Sequence, residues 1–393
     1  MGFPPAAPAA APPPRDTPRP TDAAAALSDH ELPFGRRTLR ATEMLLHLPS
    51  LLLAAPNMPA MSEMKMPHRV NESVICQTPG LCEKKPMKYE RIANVQPGVQ
   101  WMDAGGYCGS WASQRAFLSI GAWISQQQVR DHTEACGGHD EEILSCNIAT
   151  AWKHLKMDFE GFDYKAEPVP QTKSYFKWLK AHLAAGHVVA WMLMWNHQKY
   201  PIYHLTPPEG MYGHVEPVIG IQSNHPLNDT TVYDDDVVVH YTDGGTNTVY
   251  RKISTLPCKW GGPGQPAKCG LYHYGLGFPY GFGWAVKGFA DKNASAVPAY
   301  LHIQPWKSEP DTRSGYPAEA LQGTLTATRL TVGATYTIYR WDNVESALTY
   351  SAEYKKASFT ATSDKYVYVD DKSFMSDSAT YYRVVQVAGV VEE

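Results

Sequence analysis

The stretch Gly105-Gly106-Tyr107-Cys108-Gly109-Ser110-Trp111-Ala112-Ser113 decides how this chain is read. Two glycines lead into a cysteine. Behind it Ala112, Ala116, Ile120 and Ile124 recur every four residues, with Phe117 and Trp123 widening the apolar face. That spacing predicts a buried helix running on from Cys108. A thiol at a helix N-terminus meets backbone N–H groups and the positive end of the helix dipole. Both favour the thiolate, and the thiolate is the nucleophile. The same N–H groups can stabilise an oxyanion. Small residues at Gly109, Ser110 and Ala112 let the helix approach whatever supplies a base.

A nucleophilic thiol needs a base within hydrogen-bond reach and an orienting group behind that base. Of 15 histidines, His214 stands out by context: Gly213-His214-Val215-Glu216-Pro217-Val218-Ile219-Gly220-Ile221 reads as a strand with the histidine at its mouth. Asp236-Val237-Val238-Val239-His240-Tyr241-Thr242-Asp243 reads as a second strand. Alternation puts Val237, Val239 and Tyr241 on one of its faces and Val238, His240 and Thr242 on the other. Antiparallel pairing of the two strands brings Asp243 beside His214, and Asn247 is the competing orienting group. Upstream, residues 175–185 form an amphipathic helix pattern, Gly186 is its stop, and Val188-Val189-Ala190-Trp191-Met192 is a continuous apolar strand.

The order nucleophile helix, second helix, buried strand, histidine strand, aspartate strand resembles the papain-like cysteine peptidases. The likeness is nearest to the branch typified by bacteriocin-leader-processing peptidase domains and their secreted relatives. It rests on Tyr107-Cys108-Gly109, the helix–Gly186–strand unit, Gly213-His214 followed by Gly220-Ile221, and Asp243, and it covers residues 96–290. The resemblance implies an α+β fold with the nucleophile helix packed on an antiparallel sheet. It implies Cys108 as nucleophile, His214 as general base and acid, and Asp243 as the orienting residue. The family carries an oxyanion-hole glutamine six residues before its cysteine. Position 102 is Met here and the nearest glutamine is Gln100, with Gly105-Gly106 as an insertion that restores its place. The Cys-Gly-Ser-Cys-Trp motif of the cathepsin type appears as Cys108-Gly109-Ser110-Trp111. An alternative therefore makes Cys108 a disulfide partner in a protein that has lost its nucleophile.

The expected activity is a thiol hydrolase cutting peptide bonds through an acyl-enzyme, with peptides or proteins as substrate and no cofactor. An acyltransferase on the same fold, or a catalytically silent papain-like binding protein, are the alternatives. A net charge of −4 argues against a nucleic-acid binder. No apolar run reaches the roughly 18 residues of a spanning helix, so no stable membrane insertion is expected.

The 393 residues exceed one ordinary domain. Residues 1–33 hold nine Ala and nine Pro and read as disordered. Arg36-Arg37 ahead of the apolar run 44–55 resembles a secretory signal, with an organelle transit peptide as competitor. A linker with Met58, Met61, Met64 and Met66 completes a segment spanning 1–68. The peptidase-like domain is expected over 69–300. Over 301–393, short β-branched and aromatic runs at 324–332, 335–339, 366–369 and 381–385 predict a small all-β sandwich acting as an accessory domain.

Seven cysteines imply three pairs and one thiol. Cys76–Cys82, Cys136–Cys146 and Cys258–Cys269 are the pairs that suit local bridges, among 15 possible connectivities. Sequons at Asn71, Asn228 and Asn293 join the clustered cysteines in favouring a secreted glycoprotein. His132, Cys136, His139, His197 and His204 lack the spacing of a zinc site, so no metal is expected. The run Asp234-Asp235-Asp236 reads as a solvated turn. Residues 272–284, which alternate glycine with aromatics, read as a loop flanking the cleft.

Overall fold

The computed structural model describes residues 80–98, 100, 107–133, 146–163, 166–167, 172–196, 211–242, 248–256, 272–273, 283–291, 293, 295–311 and 318–387. In chain order these form β1 (Tyr89–Ile92), α1 (Cys108–Leu118), β2 (Ala122–Ile124), α2 (Gln126–Asp131), α3 (Cys146–His154), β3 (Met157–Gly161), α4 (Thr172–Ala185), β4 (Val188–Asn196), β5 (Met211–Ser223), β6 (Val237–Tyr241), β7 (Thr248–Lys252), β8 (Tyr272–His273) and β9 (Gly283–Phe289). There follow β10 (Ala296–Val297), β11 (Ala299–Asp311), β12 (Ala318–Thr328), β13 (Thr335–Trp341), β14 (Lys355–Thr360), β15 (Lys365–Val369), β16 (Phe374–Met375) and β17 (Ala379–Gln386). The fold is α+β. The segment 1–68, Asn71 and Cys76, the cysteines at 136, 258 and 269, and the aromatic loop between β8 and β9 lie outside the described residues.

One sheet runs β3-β9-β4-β5-β6-β7, with β1 joined to β5 and β8 to β4. Its pairings are antiparallel, including β5 with β6. α1 packs on β5 and β4, and α4 packs on β5, β4 and β1. Strand alternation separates the two helices. Val215, Ile219, Val239 and Tyr241 join the core that holds Trp111, Ala116 and Phe117 of α1. Val218, Val238, Val249 and Trp191 join the core that holds Tyr175, Leu179 and Leu183 of α4. The helix stop at Gly186 is as expected. Its φ is +92°, a conformation open to glycine, and its N–H reaches Leu183 O at 2.9 Å while that of His187 reaches His182 O at 3.0 Å.

The four-residue periodicity behind Cys108 overshoots. α1 ends at Leu118, Gly121 turns the chain at φ +93°, and Ala122–Ile124 is a strand. The reason is tertiary. β17 offers an edge on which Ala122, Trp123 and Ile124 pair with Tyr381, Thr380 and Ala379, and a paired strand outweighs helix propensity in this apolar run.

Residues from 296 onward form two antiparallel sheets, β10-β17-β13-β14 and β11-β12-β15, with β2 added to the first and β16 to the second. Their inner faces meet in one core through Leu301 and Leu325 on one side and Tyr336, Ile338 and Tyr382 on the other. Asp370 is buried where the two sheets meet and accepts from Arg340 Nη1 at 2.8 Å and Tyr382 OH at 2.6 Å. The core does not stop where these sheets begin: the same cluster runs from α1 through β11 and β12 to β17. Trp123 Nε1 donates to Ser376 O at 3.1 Å, and Gln96 exchanges two hydrogen bonds with the Ile303 backbone at 2.7 and 2.8 Å.

Candidate active site

Cys108 is the first residue of α1, is 5% exposed and carries no disulfide, so the disulfide-partner reading of this residue falls. Every residue of α1 is buried, including the polar side chains of Ser110, Ser113, Gln114 and Arg115. Its first turn has no acidic residue to offset the helix dipole at Cys108. The helix is locked from several directions. Ser113 Oγ donates to Gly109 O at 2.7 Å and accepts from Trp152 Nε1 at 2.7 Å. Trp111 Nε1 donates to Gly98 O at 2.8 Å.

Arg115 ties the segment ahead of the helix to its flank. Its Nη1 donates to Gln96 O at 3.3 Å and Pro97 O at 3.1 Å. Burial pushes its pKa down to about 10, so it stays cationic near neutrality. Gly98 leaves the room for this guanidinium, since a Cβ there would stand 2.4 Å from Arg115 Nη1. Gln100, the oxyanion-hole candidate, follows two residues after Gly98 and is 2% exposed. Tyr107, just before the helix, donates its hydroxyl to Gln127 Oε1 at 2.6 Å and lies under the Arg130 guanidinium at 4.1 Å.

His214 lies on β5, which α1 packs against, opposite Leu193 of β4. It is almost fully buried, and its Nε2 lies 3.7 Å from Oε1 of Glu216. The other carboxylate oxygen of Glu216, Oε2, is 2.9 Å from His240 Nδ1 on β6. His240 packs on Trp191 with ring centroids 5.2 Å apart. Burial, and then the charge of Arg251 on β7, hold His240 well below the ordinary histidine pKa. It is therefore neutral at pH 7, and its Nδ1 also lies 3.4 Å from Tyr241 O. Residues 214, 216 and 218 share one face of β5, and Val218 belongs to the core of α4. The histidine–glutamate–histidine cluster thus lies on the α4 side of the sheet, whereas Cys108 belongs to the core of α1. Sequence reading passed over Glu216 and His240 as partners. Their signal was present: two ionisable residues at even positions of otherwise apolar strands, two residues and one strand away from His214.

Asp243 and Asn247, the two candidates for orienting His214, lie outside the described residues. Cys82 is disulfide-bonded. Cys146 begins α3. Asn228 is exposed in the turn between β5 and β6, and Asn293 is half-buried with Oδ1 accepting from Ser295 N at 3.1 Å. The acidic run departs from its reading as a solvated turn at one position: Asp236 is fully buried and paired with Lys180 Nζ at 2.8 Å. Among the described residues no group of three His, Cys, Asp or Glu is placed to hold a metal ion. A cleft of about 530 Å³ opens beside Arg91, His187, Lys287, Arg329 and Arg383, and none of the catalytic candidates lines it.

No protein-family model matches the chain, and no curated protein matches it. Among solved structures it is similar to a clostridial cysteine protease, Cwp84, in a variant determined after propeptide cleavage. That match has 11% identity and a TM-score of 0.27, over 74% of this chain and 81% of the other. A likeness that loose assigns neither fold nor chemistry.

Proposed function

We propose that this chain is a thiol hydrolase acting on peptide bonds, with Cys108 as nucleophile and His214 as general base and acid. The observation that carries the reading is the seat of Cys108: a cysteine outside any disulfide, at the N-terminus of a buried helix packed on the strand that bears His214. In the proposed cycle Sγ attacks the carbonyl carbon, and the helix N–H groups with Gln100 receive the oxyanion. His214 passes the thiol proton to the leaving amine, which gives a thioester. It then takes a proton from water, the hydroxide displaces Sγ, and the acid and thiol are released. Asp243 orients the imidazole. An amine in place of water makes the same site an acyltransferase, and adding amine nucleophiles with product analysis separates the two.

The reading requires the His214 ring to reach Cys108 from the far side of β5. Among the described residues β5 pairs with β6 from Val218 onward. The disulfide at Cys82 supports an oxidising, secretory compartment, with Asn228 the most accessible described sequon. The Cys76–Cys82, Cys136–Cys146 and Cys258–Cys269 pairings belong to this proposal.

Iodoacetamide labelling of Cys108 across pH tests it. Fast labelling near pH 7 that collapses in His214→Ala is expected. A slow thiol, indifferent to His214, favours the second reading, a catalytically silent protein with a papain-like frame. The observation behind that reading is the depth of both groups: Cys108 is 5% and His214 1% exposed.

A further inference from the structure

The chain has a net charge of −4, yet one cleft carries the opposite sign. This cleft, of about 530 Å³, opens where the C-terminal end of α4, β9 and the strands β10, β11 and β17 come together. Arg91, Lys287, Arg329 and Arg383 line it, against the carboxylates of Asp158 and Asp291. Two of the four cations are occupied. Arg383 closes on Asp291, with Nη2 donating to Oδ1 at 2.9 Å and Nε to Oδ2 at 3.3 Å. Lys287 Nζ is shared between Asp158 and Glu160 at 3.6 and 3.8 Å. Arg91 and Arg329 are exposed and have no ion-pair partner among the described residues.

Both of these arginines are set in place by the fold. The Arg91 guanidinium lies against Gly186, where a Cβ would stand 2.8 Å from Nη2. Arg329 has φ +59°, the left-handed region that favours glycine. Its neighbours hold it there: Thr328 N donates to Pro298 O at 2.9 Å and Leu330 N to Asp364 O at 3.0 Å. Strain retained where glycine would relieve it is characteristic of functional positions.

We propose that this cleft is a docking site for a short acidic segment of a polypeptide, with Arg91 and Arg329 receiving its carboxylates. The inference stands apart from the reading of Cys108 and His214, neither of which lines the cleft. A guanidinium is a planar fork of donors that matches a carboxylate with two parallel hydrogen bonds. The cleft volume falls within the roughly 300–1,000 Å³ of ligand pockets, which suits a short segment and not a long polymer. The fixed carboxylate of Asp158 decides the class. It is an acceptor for the N–H groups of a peptide. A polymer with a negative charge on every unit, such as a nucleic acid or a sulfated glycan, meets it as a like charge and then runs out over a surface of net negative charge.

Fluorescence anisotropy on the full chain tests this, with a labelled oligoglutamate peptide as the probe. The Cys108→Ala protein is used, so the probe stays intact whether or not Cys108 is a nucleophile. Binding at low salt that weakens as salt rises is expected, with none for the matching oligoglutamine. Arg329→Gly is expected to lower affinity about tenfold or more, the loss of a charge-assisted hydrogen bond. Its melting temperature should stay level or rise, because glycine relieves the backbone. Arg91→Gln should lose affinity to a similar extent. Lys355→Gln, which removes an exposed charge outside the cleft, should leave affinity unchanged. No binding of oligoglutamate overturns the proposal, as does wild-type affinity in both arginine variants. An equal loss in Lys355→Gln shows a general attraction and overturns it too. A single-stranded oligonucleotide of equal charge that binds as tightly as the peptide overturns the peptide assignment. Should Arg329→Gly lower the melting temperature, Arg91→Gln decides: a tenfold loss supports the proposal and unchanged affinity overturns it.

Discussion

At the scale of single residues, the proposed hydrolase rests on Cys108 and His214. Cys108→Ala is expected to abolish turnover of any peptide the protein cleaves. His214→Ala should lose nearly as much, because a thiol at its ordinary pKa is only a few per cent thiolate at neutral pH. Asp243→Asn should cost less, since an orienting group does not enter the bond-making step. Groups that act as a unit do not add, so the Cys108/His214 double variant should be no worse than Cys108→Ala alone. Turnover assays on a peptide library check all four, and full activity in Cys108→Ala ends the hydrolase reading. A second prediction concerns acid. Burial, and then neighbouring His182, hold His187 at about pKa 4 against an ordinary 6.5. Below pH 6.5 the unfolded chain binds this proton and the folded one does not, so stability is complete above pH 6.5 and is lost as pH falls toward 4. The melting temperature should drop over that window, and His187→Gln should flatten the drop; an equally steep fall in the variant excludes His187 as its source. The seat of Cys108 at the start of a buried helix and of His214 on a strand were legible in the sequence because glycines and apolar periodicity frame them. Glu216 was not weighed, since a lone acidic residue in a strand looks like a solvated position until a second buried strand is laid beside it.

At the scale of elements, the run after Cys108 shows what periodicity can and cannot settle. Ala112, Ala116 and Phe117 are fully buried in α1, as their spacing predicts. Trp123 and Ile124 obey the same spacing and belong to a strand, because their burial is supplied by β17 and not by the helix face. No local pattern carries that information. Gly121 makes the change of direction possible. An added Cβ would stand 3.0 Å from Tyr382 O, and φ +93° strains any other residue. Gly121→Ala is expected to destabilise the protein by about 2 kcal/mol or more. Urea unfolding followed by tryptophan fluorescence measures it, and an unshifted midpoint shows that the turn relaxes at no cost. The helix–Gly186–strand unit and the pairing of β5 with β6 were readable, because local chemistry and alternation specify both.

At the scale of the whole molecule, the all-β region does more than follow the α+β region before it. β2 borrows its hydrogen-bond partner from β17, and one hydrophobic core spans both. The sequence shows the change in composition near residue 300 but not this exchange, which exists only as a long-range pairing. A chain ended at Ile303 would leave β2 an open edge and strip Leu118 and Trp123 of part of their cover. It is expected to be insoluble or to unfold without cooperativity. A soluble product of that length, with wild-type Cys108 labelling, would show instead that the β region is dispensable.

The clasp between β2 and β17 also sets a clock. Trp123 donates to Ser376, 253 positions further along the chain. The helix that bears Cys108 leaves the ribosome early, yet the strand that closes over its far end is made more than two hundred residues later. At roughly 5–20 residues per second that interval is on the order of tens of seconds. Through it the nascent chain carries a sticky edge and a cysteine without its finished surroundings. A protein wired this way ripens late, and the seat of Cys108 stays unassembled until synthesis is nearly over.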